Sequence, residues 1–177
     1  MTEEATNPPN DAEKYDVAGA IESAAGDYRY TLGRCWSKLA PSGTTVFIML
    51  NPSTADAQSD DPTIRRCVGF AKAWGSSDLL VGNLYAFRAT DPRDLFEAAD
   101  PVGRDNDHYL RQLMNDHSDI VCAWGANAKE ERVREFVEAA KTAGVKLWCL
   151  GTTKDGAPRH PLYVAQGTEL VPWSLPT

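Results

Sequence analysis

The chain has 177 residues, of which 42% are hydrophobic and 24% charged, so it can bury a core without disulfides or a structural metal. No apolar run approaches the ~20 residues that cross a bilayer, and the polar, acidic start does not fit a signal peptide. We therefore expect a cytoplasmic protein with no membrane partner. The net charge of −7 counts against a nonspecific nucleic-acid binder. A salt-adapted protein would show the same acidity around a local basic cleft.

Cysteine spacing and glycine motifs bear on cofactors. The four cysteines are far apart and include no CxxC pair, so neither a zinc site nor a disulfide framework is predicted. The chain also lacks the GxGxxG and GxxxxGK[ST] patterns that cradle phosphates in dinucleotide and P-loop sites. The sequence predicts no metal and no organic cofactor, and a monomer is the default expectation.

The predicted elements alternate along the chain. Residues 1–14 are polar and predict a disordered acidic tail, and residues 15–177 predict a single domain. Residues 27–39 alternate apolar with polar side chains and predict a strand, and the continuous apolar run at 46–51 predicts a strand covered on both faces.

The rest of the chain continues this alternation. Helical periodicity and strand-length apolar runs predict helices at 61–75, 91–98, 103–117 and 128–144, and strands at 78–87, 119–125 and 146–151. Together these elements predict a three-layer α/β/α fold with a central, mainly parallel four-stranded sheet, plus an N-terminal strand or hairpin.

Polar residues gather where four of the predicted strands end. In chain order they are Asn51-Pro52-Ser53, Asn83, Trp124-Gly125, and the loop that holds Arg159 and His160. Because ligands bind at the carboxyl ends of strands in open parallel sheets, we expect a common site there.

Each of these residues also has a structural interpretation. Asn51 before a proline suits a turn or a helix cap. A buried amide such as Asn83 costs about 1–3 kcal/mol unless it is paired, and pairing across the sheet would satisfy it as well as a ligand would. His160 in a loop is equally compatible with a surface position. Asp60 and Asp61 suit a helix N-terminus, which favours carboxylates by about 0.3–1 kcal/mol.

Long motifs cover nearly everything after about residue 27. They are RYTLGRCWS, FIMLNPSTADAQSDDPTIRRCVGFAKAWG, LLVGNLYAFRATDP, VCAWG, LGTTKDGAPRHPLY and LVPW. In these motifs the chain closely resembles the family called domain of unknown function 1643 (DUF1643). This resemblance implies membership of a family and no activity.

Three shorter motifs resemble, in the same order, those of the uracil-DNA glycosylase superfamily. MLNPSTAD (49–56) is similar to the Asn-Pro-Gly motif that positions a water. LLVGNLYAFRATDP (79–92) is similar to the second strand, whose asparagine binds the edge of uracil. RHPLY (159–163) is similar to the His-Pro-Ser motif that supports the departing base. This resemblance implies a glycosylase-like fold, a DNA-repair role with base flipping, and hydrolysis of the N-glycosidic bond of uracil-like or modified bases.

The chain departs from these motifs at three places. Ser53 stands where the first motif has glycine, and Leu162 stands where the third has serine. The acidic stretch from Asp56 to Asp61 has no clear counterpart.

The resemblance also implies roles for individual residues. Asn51, with Asp56 as a helper, would position the water, Asn83 would bind the base edge, and His160 would donate to the base oxygen. Phe70 or Tyr85 are the candidates for stacking on the base. The candidates for contact with phosphates and the nucleic-acid backbone are Ser53, Arg65, Arg66, Arg159, and the wedge residues Leu162 and Tyr163. Arg65 and Arg66 could instead form an exposed helix face.

Two other functions fit the same residues. A hydrolase of free nucleotides or nucleosides would suit the net charge of −7 better than a DNA enzyme. A non-catalytic reader of a modified base or nucleotide would need the same pocket without turnover.

Overall fold

Seven strands form one sheet in the computed structural model, which describes residues 11–176. The strands are β1 (Val17–Glu22), β2 (Arg29–Cys35), β3 (Thr44–Met49), β4 (Asp78–Asn83), β5 (Asp119–Cys122), β6 (Lys146–Cys149) and β7 (Val171–Pro172). The helices are α1 (Pro62–Ala73), α2 (Pro92–Glu97), α3 (Asn106–Asp116) and α4 (Glu130–Thr142). The fold is therefore mixed α/β, and every helix and strand predicted above has an observed counterpart.

The sheet has the strand order β1-β2-β4-β3-β5-β6-β7. The neighbours among β4, β3, β5 and β6 run parallel, whereas β1–β2, β2–β4 and β6–β7 are antiparallel pairs. The prediction of a four-stranded, mainly parallel sheet is wrong, because the sheet has seven strands and half of its pairings are antiparallel. The antiparallel pair β1–β2 forms an N-terminal hairpin, one of the two forms predicted for that end, although no bounds were predicted for β1. The sequence pattern did not reveal β7, since this strand lies at the sheet edge, where no continuous apolar run is buried.

The directions of these strands decide what meets at one edge of the sheet. The four parallel strands end together, and β2 begins at that same edge because it runs antiparallel to β4. The amide of Arg29, the first residue of β2, donates to the carbonyl of Ala86, just beyond β4. Residues at the start of β2 are thereby brought to the carboxyl ends of the parallel strands.

Alternation along β3 builds a core on each face of the sheet. Val46 and Ile48 belong to the apolar cluster that includes residues of α2, α3 and α4. Phe47 and Met49 belong to the cluster on the opposite face, with α1. Successive strand side chains point to opposite faces, so a continuous apolar run is required wherever helices cover both sides.

Local signals set the ends of α1. The Asp61 carboxylate caps the helix by accepting from the Ile64 amide at 2.8 Å, and Pro62 occupies the first turn. Gly75 follows the last turn with a φ of +81°, a conformation that glycine adopts without strain.

The start of the described chain is packed against the domain. Residues Asp11–Lys14 form a short 3-10 helix, and the buried Asp11 carboxylate accepts from the Asp60 amide at 3.0 Å. The predicted disordered tail covered residues 1–14; of these, residues 1–10 lie outside the described residues, and residues 11–14 are helical. Within residues 11–176, no helix combines the length and apolar character needed to span a membrane.

Candidate functional site

A cavity of about 620 Å³ lies where the four parallel strands end. Its lining includes Asn51 after β3, Asn83 at the end of β4, Trp124 after β5, and His160 in the loop after β6. The two carboxamides and the imidazole singled out in the sequence therefore share one cavity. Its volume is within the range of sites for small molecules, roughly 300–1,000 Å³.

Asn83 presents an unpaired carboxamide in this lining. The residue is 1% exposed, and neither its Oδ1 nor its Nδ2 has a hydrogen-bond partner among the described residues. Pairing across the sheet, the structural alternative, is thus not observed. Leaving buried polar atoms unpaired is costly, and such atoms are uncommon in proteins unless a ligand or water satisfies them. Asn83 thus lines the cavity and carries a donor and an acceptor that no described residue uses.

The backbone around Asn83 is, in contrast, held firmly. The buried Asn106 donates from Nδ2 to the carbonyls of Asn83 and Leu84, at 3.0 and 3.1 Å. Arg132 donates from Nε to the same Leu84 carbonyl at 2.8 Å. These bonds engage main-chain oxygens only, so they position the end of β4 and leave the Asn83 side chain free.

The side chain of Asn51 has one polar atom that is hydrogen-bonded to the described residues and one that is not. Its Nδ2 donates to the carbonyls of Pro52, Phe87 and Ala89, at 3.0, 3.4 and 2.7 Å, which ties the turn after β3 to the segment after β4. Its Oδ1 accepts no hydrogen bond from residues 11–176. The structural and functional interpretations of Asn51 are therefore compatible, because the free oxygen can still accept from a water or a ligand.

His160 is placed as a neutral donor. Its Nδ1 accepts from the Leu162 amide at 3.3 Å, so in the neutral imidazole the proton is on Nε2. Burial lowers the pKa of His160, and the nearby Asp61 carboxylate opposes that shift. The turn after β5 packs closely here, since Gly125 has a φ of +73° and a Cβ at that position would lie 3.6 Å from the His160 Cβ.

The lowered pKa of His160 has a consequence for stability. The unfolded chain binds a proton near the ordinary histidine pKa of about 6.5, above the folded pKa. Between these two values the unfolded state holds more protons, so the free energy of unfolding falls as pH drops below about 6.5. Urea unfolding at pH 7.5 and 5.5 should show a smaller loss in His160→Gln than in wild type. Equal losses in the two proteins would contradict the shift.

The carboxylate in the cavity lining is Asp61. One of its oxygens caps α1, and Oδ2 has no hydrogen bond within the described part of the chain. Asp56, which the sequence suggested as the helper carboxylate, lies outside the lining. Its Oδ1 accepts from the amides of Gln58 and Ser59, both at 2.8 Å, and so closes a local turn.

Arg29 also lines the cavity, and it is not among the residues predicted from the sequence. It is 2% exposed, and its Nη1 donates to the Ala55 carbonyl, while Nε has no partner in residues 11–176. No carboxylate of the described residues lies within 4.0 Å of it, although Asp61 acts on it at longer range. Burial lowers the pKa of Arg29 to about 10, which leaves it charged at neutral pH. A charged residue at the start of a strand of alternating polarity was the available signal, but its position depends on the direction of β2.

The remaining predicted residues divide into two groups. Four line the cavity: Ser53, Arg159, Leu162 and Tyr163. Leu162 and Tyr163 are 45% and 80% exposed, so they form part of its rim.

The structure does not bring the other four to the cavity: Arg65, Arg66, Phe70 and Tyr85. Arg65 donates to the Asp60 carbonyl, and Arg66 donates to the carbonyls of Pro161 and Val164. Both guanidiniums thus hold loops that border the site.

Phe70 and Tyr85 are core residues. Phe70 is fully buried and stacks with Trp74 at a centroid distance of 5.5 Å. Tyr85 is 2% exposed, and its hydroxyl accepts from the Lys129 amide. Helical spacing placed Phe70 on the inward face of α1, where a base cannot reach it.

No group of three or more histidine, cysteine, aspartate or glutamate side chains within residues 11–176 is arranged to hold a metal ion. The polar groups of the cavity lining are amides, hydroxyls, an imidazole, a carboxylate and guanidiniums, which suit hydrogen bonding to an organic ligand.

Comparison with known proteins adds a family. The model of a family described as "Protein of unknown function (DUF1643)" matches residues 29–162, which contain every strand that ends at the cavity. No curated protein and no solved structure matches the chain.

Proposed function

Since the chain belongs to the DUF1643 family, whose description names no activity, we propose from the cavity that it hydrolyses the N-glycosidic bond of a nucleotide with a uracil-like base. The observation that carries this proposal is the unpaired carboxamide of Asn83 in the same lining as Asn51 and His160. The motif resemblance to uracil-DNA glycosylases supports the same reaction.

Asn83 is the base-recognition residue in this proposal. Uracil presents a carbonyl oxygen and an N–H side by side, and a carboxamide complements that pair with its own donor and acceptor. The cytosine edge, at the corresponding atoms, offers an amino group and an unprotonated nitrogen. That edge pairs with the amide only when the amide is turned by 180°, so uracil is preferred where the cavity holds the Asn83 amide in the orientation that complements uracil.

The other residues serve the bond-breaking step. The bond from C1′ to the base nitrogen breaks with its electron pair moving to the base, and a water oxygen forms the new bond to C1′. The free Asn51 Oδ1 orients the water. Asp61 replaces Asp56 as the helper carboxylate, and its free Oδ2 also accepts the proton of that water. The neutral His160 donates from Nε2 to the base oxygen on which negative charge develops.

Release of free base tests this proposal. We expect wild-type protein to release uracil from deoxyuridine-containing substrates, and Asn51→Ala and Asn83→Ala each to lose roughly 10²–10³-fold in rate, as for removal of a transition-state hydrogen bond. The measurement is chromatography of the released base, with Glu130→Gln on the exposed face of α4 as the control. Full activity in both cavity variants would end the assignment, and ligand binding without turnover, unchanged in Asn51→Ala, would favour the non-catalytic reader.

The first candidate substrate is a nucleotide within DNA, and the second is a free nucleotide. It is favoured because Arg65 and Arg66, two candidates for DNA-phosphate contacts, donate to protein carbonyls instead. Comparing base release from an oligonucleotide and from a monomer at several salt concentrations separates the two, since binding to a polyanion weakens steeply with salt.

A further inference from the structure

We infer that Arg29 is an anion subsite of the cavity and that it takes a terminal phosphate of the substrate. This inference deepens the proposed function and rests on it for the identity of the base. The anion site itself stands on Arg29 alone.

The charge of the buried Arg29 has no counter-ion close to it in the described part of the chain. Arg29 is 2% exposed and lines the cavity, and it has no ion pair among the described residues. The two other buried arginines differ: Arg34 pairs with Asp60 at 2.9 Å, and Arg132 pairs with Asp107 at 2.6 Å. Buried charges in proteins are normally paired, so the exception at the cavity calls for an anion from outside.

Arg29 also has N–H groups that form no hydrogen bond with the described residues. Only Nη1 is used, in a bond to the Ala55 carbonyl, while the buried Nε has no partner in residues 11–176. Arg88 also donates to the Ala55 carbonyl, at 3.4 Å, so that carbonyl does not depend on Arg29 alone. A guanidinium binds phosphate through pairs of N–H groups, and Arg29 retains such donors at the cavity.

The buried position of Arg29 also distinguishes a terminal phosphate from a phosphodiester. A phosphodiester inside a strand carries chain on both sides and needs an open path past the guanidinium in two directions. The buried position of Arg29 is better suited to a group at the end of a ligand, such as the phosphate of a nucleoside monophosphate. Arg159 lines the same cavity from an exposed position and remains available nearer its mouth.

The test compares ligands with and without phosphate on the 177-residue chain. The ligands are inorganic phosphate, deoxyuridine, deoxyuridine 5′-monophosphate and a uracil-containing oligonucleotide, measured by thermal shift and calorimetry at constant ionic strength. We expect the monophosphate to bind at least tenfold more tightly than the nucleoside. In Arg29→Met that preference should fall to less than twofold, with nucleoside affinity unchanged.

Two further variants control for loss of charge elsewhere on the protein and for misfolding of Arg29→Met. Arg104→Met removes the same charge from an exposed position outside the cavity lining and should behave as wild type. Arg29→Met should melt no lower than wild type in phosphate-free buffer, because it removes an unpaired buried charge. If it does not fold, Arg29→Lys should fold and keep a weaker phosphate preference.

Each outcome separates this inference from the proposed function. A phosphate-dependent rise in melting temperature that Arg29→Met abolishes supports the subsite, even if deoxyuridine does not bind. Equal affinity of wild type for nucleoside and monophosphate overturns it, as does a phosphate response that Arg29→Met retains. The assignment of a terminal phosphate would be overturned by one further result. In that result the uracil-containing oligonucleotide binds more tightly than the monophosphate, and Arg29→Met removes the difference.

Discussion

Replacement of Asn83 by Leu is expected to stabilise the protein and abolish recognition of the base. The wild-type carboxamide is buried with both polar atoms unpaired, at a cost of about 1–3 kcal/mol that an apolar side chain of similar size avoids. Urea unfolding should therefore show a higher free energy of unfolding in the variant. The same substitution removes the donor and acceptor proposed to bind the base, so base release and nucleoside binding should both be lost.

Asn106→Leu is the matched control, because Asn106 is also buried and its Oδ1 is also unpaired among residues 11–176, but its Nδ2 is paired with two main-chain carbonyls. Its replacement removes the Asn106 donor from the Asn83 carbonyl, while the Leu84 carbonyl keeps Arg132, so the free energy of unfolding should fall by about 1–3 kcal/mol. The two asparagine variants should thus shift stability in opposite directions. A loss of stability in Asn83→Leu as large as in Asn106→Leu would mean that the Asn83 carboxamide is structural.

Neutralising Asp60 is expected to have the largest effect on stability. Its carboxylate pairs with Arg34 at 2.9 Å, and the two side chains are 2% and 0% exposed. The Tyr15 hydroxyl donates to the other carboxylate oxygen. Breaking a buried pair by removing one partner leaves an uncompensated charge, so Asp60→Asn should lower the free energy of unfolding by about 3–5 kcal/mol.

Glu130→Gln tests the same neutralisation at the surface. Glu130 pairs with Arg134 one turn along α4, and the side chains are 72% and 60% exposed. Solvent and salt screen such a pair, so little or no change in unfolding is expected. Equal urea midpoints for Asp60→Asn and wild type would contradict the importance of the buried pair.

The Asp60 pair also matters for the cavity. Arg34 donates to the Asp56 and Ser59 carbonyls, at 2.6 and 3.3 Å, and Arg65 donates to the Asp60 carbonyl at 2.5 Å. The acidic loop between β3 and α1 is thus held largely through its main chain by guanidiniums. Since Asn51 and Asp61 lie at its two ends, loosening of this loop should reduce base release as well as stability.

Several features of the site could be predicted because they depend on neighbouring residues alone. The apolar run of β3 and the helical periodicity of α1 locate these elements, and the polar residues after strands point to one edge of the sheet. This was sufficient to group Asn51, Asn83 and His160, which line one cavity. Their chemical roles remain proposals.

Side chains whose positions depend on distant parts of the chain could not be predicted in this way. Asp56 and Asp61 stand in the same acidic loop, and only the path of that loop decides which one lines the cavity. Phe70 lies on the apolar face of α1, and only the packing of that face on the sheet decides that Phe70 is in the core and away from the cavity.

By itself, the sequence determined where the main strands and helices lie and which polar groups follow the strands, because hydrophobic periodicity and turn chemistry act over a few residues. Only the tertiary structure decided that β2 runs antiparallel to β4, which carries the buried Arg29 to the same edge as Asn83. Strand order and direction are set by contacts between residues far apart in the chain, and local patterning does not encode them.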